Sequence, residues 1–124
     1  SQSLDKLLTM TKTEFEKKTG LRPQVEILNG CGISGIALEY TEFLRASGFD
    51  VVDYKNADHF DYDSTQIILI NGEMQQAYEL AELMDINKNK IHVESLEKTE
   101  NLILILGKDY RLLESFYNIE WTTP

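Results

Sequence analysis

Apolar runs and alternations divide this chain into a short series of elements. Val25 and Ile27 alternate with Glu26, which is the period of a half-buried strand. Apolar residues recur at helical spacing through Ile36, Tyr40, Phe43 and Leu44, so a helix is predicted over Ser34 to Ala46, with Ser34 as N-cap and Ser47-Gly48 closing it. Phe49 to Tyr54 reads as a second strand. The polar segment Lys55 to Gln66 is too short and too poor in apolar residues for a crossover helix, and a loop that returns the chain antiparallel is expected. Ile67 to Ile70 is a continuous apolar run and reads as a buried strand.

Asn71-Gly72 then turns the chain into a second helix, Met74 to Met84, whose Ala77, Leu80, Ala81 and Met84 repeat at helical spacing. Ile91 and Val93 flank His92 in a short edge strand, and Leu102 to Leu106 is apolar throughout, as a central strand should be. Gly107-Lys108-Asp109 breaks it, and a short closing helix is expected over Tyr110 to Tyr117. Ahead of these elements, Ser3 caps an amphipathic pattern with Leu4, Leu7, Leu8 and Phe15 on one side, ended by Gly20 and Pro23. Residues 1–23 are therefore read as a leader helix and linker, and 24–124 as the domain. The order βαββαβ gives an α+β, ferredoxin-like sandwich with two helices on one face of a mixed sheet.

Composition narrows the function classes. The chain has 124 residues, enough for one core that buries about two thirds of the unfolded surface. A net charge of -9 repels phosphate backbones and anionic headgroups, so nucleic acid is not an expected partner. Cys31 is the only cysteine and His59 and His92 lie far apart, which gives neither a disulfide nor metal-ligand spacing. No cofactor or metal is expected. No apolar run approaches the roughly 18 residues of a membrane span. The chain opens directly in a polar helical pattern, as a piece of a longer protein would, so the missing export signal fixes no address.

The sharpest motif is Gly30-x-Gly32-x-x-Gly35 between the first strand and helix, with Asp50 and Asp53 about 20 residues on. As a nucleotide site, its bare backbone would admit a pyrophosphate to the helix N-terminus. A nucleotide-binding half also needs a helical crossover after its second strand, which Lys55 to Gln66 does not supply. The favoured reading is a tight turn packed closely on its neighbours, with Asn29 bonding backbone groups. Asp58, Asp61 and Asp63 lack the spacing of a calcium loop, and His59 has no evident nucleophile partner. Cys31 reads as a small buried filler, with a reactive thiol near a helix start as the alternative. Tyr54, Tyr62, Tyr78, Tyr110, Tyr117 and Trp121 suffice for a sugar-stacking surface only if they cluster.

The stretch Val25-Glu-Ile-Leu-Asn-Gly-Cys-Gly-Ile-Ser-Gly-Ile-Ala37, followed by Leu44 to Asp53, resembles the C-terminal domain of LytR/CpsA/Psr cell-envelope proteins. Asn56-Ala57, the threonine-led Thr65 to Ile70 and Leu104 to Tyr110 match further blocks of that family, while Lys55 stands where it has glycine. The similarity spans about Gln24 to Tyr110. It implies an extracytoplasmic module whose parent is membrane-anchored or exported. The function expected is non-catalytic: binding or positioning at peptidoglycan, wall glycopolymer or an envelope protein, with Asn29, Gly30, Gly32, Ser34, Gly35 and Asn56 as candidate ligand-binding residues. The alternatives are a nucleotide-binding fragment and an assembly domain without small ligand. An acidic chain with no DNA-reading helix gives no support to transcriptional attenuation.

Overall fold

The structure, a computed structural model, describes residues 22–113 together with 116 and 119. The leader helix lies outside the described residues. Of the closing helix expected over Tyr110 to Tyr117, the described start is a 3-10 turn over Tyr110–Leu112 followed by an extended Leu113, and residues 114, 115 and 117 lie outside the described residues. Two βαβ units make up the body. The first is β1 (Gln24–Asn29), α1 (Ile36–Ala46) and β2 (Asp50–Asn56); the second is β3 (Gln66–Leu69), α2 (Met74–Met84) and β4 (Ile91–Val93). The last strand, β5 (Leu102–Leu106), lies between them, giving a five-stranded sheet in the order β2-β1-β5-β3-β4. β1 is parallel to β2 and β5, β3 is antiparallel to β5, and β3 is parallel to β4. The expected antiparallel return after β2 is therefore present.

This is an α+β, ferredoxin-like sandwich of two helices on a mixed sheet. In its pairing, the helix-linked strands of each unit are direct neighbours and β5 joins the two units. A right-handed connection in each unit puts both helices on one face, because one unit is the other after a half-turn about the sheet normal. The core agrees. Ile67 and Leu69 lie opposite Leu104 and Leu102, which are in register with Ile27 and Val25. All six are buried in one cluster with Tyr40 and Leu44 of α1 and Leu80 and Met84 of α2. Full burial of one such aliphatic side chain contributes about 1.5–3 kcal/mol.

Local rules explain the element ends. The helix α1 starts at Ile36, two residues after the expected N-cap Ser34; Gly35 holds that position at φ 81° and no side chain caps it. Gly48, at φ 98°, follows the helix in the left-handed conformation expected of it. At α2, Glu73 and Gln76 form a reciprocal capping box, and Asp85 ends the helix at φ 57°. The polar stretch after α2 forms a 3-10 turn over Lys88–Lys90. The second strand runs on to Asn56, two residues past its expected end, because Ala57 N–H still bonds Asn29 O at 2.9 Å.

On the sheet face away from the helices, Glu26 is only 3% exposed. Lys98 Nζ lies 3.0 Å from each of its carboxylate oxygens, and Lys55 Nζ lies 3.7 Å from one. The neighbouring Glu100 has its pKa lowered, chiefly by a hydrogen bond shared with the Glu26 carboxyl group and further by Lys98. This cluster ties the 94–101 connection to the sheet. Lys98→Ala should lower the urea-unfolding free energy by about 1–3 kcal/mol, since it strips a charged hydrogen-bond donor from a buried carboxylate. Adding Glu26→Gln should recover part of that loss; full additivity of the two changes would contradict the pairing.

Candidate functional site

The C-terminal ends of β1, β2 and β5 meet at one end of the sheet, and the turn 30–35, the loop 57–65 and the residues after Leu106 leave from there. Asn29 organises the first of these. Its side-chain carbonyl accepts Gly32 N–H at 3.0 Å, Cys31 N–H at 3.2 Å and the Cys31 thiol at 3.4 Å, while its amide donates to Ile33 O at 2.8 Å. One buried amide thus closes the turn, and Cys31 is half-buried against the core.

Each glycine of the motif has a different physical reason. Gly30 N–H donates to Leu106 O at 2.8 Å, and Gly30 O accepts Tyr62 N–H at 3.2 Å. A Cβ there would lie 2.6 Å from the Tyr62 ring and 2.8 Å from Leu106 O. Gly32 (φ 77°) lies against Phe60, with room for a Cβ only 3.3 Å from that side chain. Gly35 meets nothing within 4 Å and is required by its backbone angle alone. The neighbours that demand bare backbone at Gly30 are therefore a loop aromatic and β5, while Gly32 is held by its left-handed angle with Phe60 close beside it, and the space over Gly30 is filled by protein. The chain leaves β2 into a loop, with no crossover helix. Asp50 pairs with Gln24 at the far end of β1, and Asp53 bonds Tyr54 N–H at 2.8 Å and lies 3.7 Å from Lys55, so neither acid is placed for a ribose at the turn.

The loop that fills this space is internally braced. The Tyr62 hydroxyl donates to Asp58 at 2.7 Å, His59 stacks on the Tyr62 ring at 4.3 Å, and His59 Nδ1 accepts Asp61 N–H at 3.1 Å. The Tyr62 hydrogen bond lowers the Asp58 pKa, and the same bond to the carboxylate raises that of Tyr62. At the loop's end, Asp109 accepts both the backbone N–H of Thr65 at 2.9 Å and its hydroxyl at 2.8 Å, and the hydroxyl accepts Gly107 N–H at 3.0 Å. A Cβ on Gly107 would run into the backbone of Ser64 and Thr65. Among the described residues, no group of three or more His, Cys, Asp or Glu side chains could hold a metal ion.

Beside the turn lies a cavity of about 410 Å³, lined by Ile33, Ser34, Gly35, Ile36, Glu39, Tyr110, Arg111 and Phe116. A second concavity of about 270 Å³ adds Cys31 and Lys108 and shares Ile33, Tyr110 and Arg111. Arg111 Nε donates to the Tyr110 hydroxyl at 2.9 Å, and its guanidinium carbon lies 5.6 Å from the Tyr110 ring centre. Of the candidate residues, Asn29, Gly30, Gly32, Ser34 and Gly35 fall in this turn, and Ser34 and Gly35 line the cavity. Asn56 is in register with Asn29 one strand away, exposed and outside the cavity lining. Sequence reading passed over Ile33, Glu39 and Arg111; the nearest signal was the matched block ending at Tyr110, directly before Arg111. Tyr54 lies on β2 and Tyr78 on α2 under Lys88, so the aromatics do not form one surface. Tyr117 and Trp121 lie outside the described residues.

Fold and site define a compact α+β module whose glycine turn is closed by its own side chains beside an apolar, arginine-bearing cavity. Over residues 22–110 the chain matches the family described as LytR cell envelope-related transcriptional attenuator, and it belongs to that family. It is similar in fold to the soluble domain (residues 71–217) of a conserved hypothetical secreted protein, an Rv2700 ortholog from Mycobacterium marinum. The TM-score is 0.56 at 21% identity, covering 84% of this chain and 73% of that one. No curated protein matches the chain. Among the described residues, no helix is long and apolar enough to cross a membrane.

Asn29→Ala should cost about 1–2 kcal/mol in chemical unfolding, because the part-buried Cys31 and Gly32 N–H groups lose their shared acceptor. The Asp58–Tyr62 bond has a pH signature. Tyr62 has its pKa raised above 10.0 in the fold, so its contribution to stability is present below pH 10 and is lost as pH rises through the folded value. In a 295 nm titration against a Tyr62→Phe control, Tyr62 should ionise above pH 10 and Asp58→Asn should move it down; an unmoved midpoint would contradict the pairing.

Proposed function

We propose that this chain is a non-catalytic module of the cell envelope that binds or positions a wall component outside the cytoplasmic membrane, within a parent that is anchored or exported. The observation that carries the reading is membership, over 22–110, of a family of cell envelope-related proteins. The geometry supports it. The dinucleotide-like turn is filled from within by Tyr62 and Leu106, and His59 is stacked on Tyr62 and hydrogen-bonded within its own loop, an arrangement suited to bracing. Peptidoglycan or an attached wall glycopolymer is the partner this reading favours over a protein added at the β2 edge. There, two backbone groups are already engaged: Val51 O accepts Arg45 Nη2 at 2.9 Å, and Tyr54 N–H bonds Asp53. Such occupied groups discourage strand addition.

Purified peptidoglycan sacculi, incubated with the chain and sedimented, should retain it, and retention should survive stringent washing relative to an acidic control protein of the same size. No retention above that control, with sacculi that carry their glycopolymers and with sacculi stripped of them, would remove the wall-binding reading.

A further inference from the structure

We propose that the cavity between α1 and the Tyr110 turn receives a terminal carboxylate borne on a small apolar residue, as at the end of a short peptide, held end-on by Arg111. This rests on the binding-module reading and gives it a site and a ligand chemistry. The cavity's 410 Å³ falls in the size range of small-molecule sites. Its walls are mostly apolar, through Ile33, Ile36, Tyr110 and Phe116, and Ile33 stands 41% exposed at the rim shared with the second concavity. Such walls fit a short aliphatic side chain.

The charges specify the polar end. Arg111 uses Nε on the Tyr110 hydroxyl and rests near the Tyr110 ring, which fixes the guanidinium plane while its two terminal nitrogens take no protein partner among the described residues. That terminal fork matches a planar carboxylate with two parallel hydrogen bonds. Glu39, the acid in the lining, is about nine-tenths buried and makes no ion pair with Arg111, whose hydrogen bond goes to Tyr110. Lys108, in the second concavity, lies 3.3 Å from Asp61. Among the described lining residues, one cation is left to one anion. In a chain of net charge -9, a single negative charge suits this balance better than a doubly charged phosphate.

The probe is N-acetyl-alanyl-alanine, titrated as free acid and as C-terminal amide into ¹⁵N-labelled protein. The free acid should shift the Gly35 and Ile36 amides and the Arg111 Nε–H signal saturably, with the amide about tenfold weaker or worse because the charged hydrogen bonds are lost. Arg111→Gln should abolish the preference for the acid, and Arg111→Lys should restore part of it, since lysine keeps the charge without the fork. Arg111 is exposed, so both variants should keep the wild-type spectrum elsewhere. Equal binding of acid and amide, shifts confined to other residues, or an undiminished response in Arg111→Gln would overturn the assignment. Sacculus sedimentation beside it separates the two claims. Retention without a dipeptide response removes this site and leaves wall binding standing, whereas a dipeptide response without retention does the reverse.

Discussion

The constraint on which the rest of this fold depends is the passage of β1 beneath Tyr62 and against β5 at Gly30. There the backbone bonds Leu106 O on one side and receives Tyr62 N–H on the other, with no room for a side chain. This extends the β1–β5 ladder one residue beyond Asn29 and seats the 57–65 loop on the sheet end. Asn29 and the Thr65–Asp109–Gly107 cluster secure the flanking segments by side-chain hydrogen bonds. Three connections that would otherwise be independent are thereby fixed to one another, and the cavity beside α1 takes its shape from them.

Elements set by local pattern were legible in the sequence. Leu102 to Leu106 reads as a central strand because both its faces are buried, and helix α2 runs over Met74–Met84 as its periodicity implies. The antiparallel return after β2 followed from a connection too polar to form a crossover helix. The insertion of β5 between the two βαβ units was not legible, because continuous apolar character says that a strand is central without naming its neighbours. The cap of α1 was misjudged for a related reason. Serine is the commoner N-cap, but the chain must turn through a left-handed angle before Ile36, and that favours Gly35.

The candidate site was half legible. The cluster from Asn29 to Gly35 is contiguous in the chain, so its turn chemistry could be read directly. Arg111 and Tyr110 reach the same place only because β5 lies beside β1, and no spacing rule links residues some 75 positions apart. The Glu26–Lys98 pair, 72 residues apart, was hidden in the same way. A shared glycine pattern can therefore serve different physics: in a nucleotide fold the bare backbone faces a ligand, whereas here Gly30 and Gly32 face the protein's own aromatic loop.

The unfolding free energy of Gly30→Ala tests this account most directly. If Gly30 is there to admit Tyr62 and Leu106, the added methyl should cost about 1–3 kcal/mol by overpacking and should loosen the 57–65 loop. An alanine variant as stable as the parent would contradict it and return the turn to the role of an open phosphate cradle.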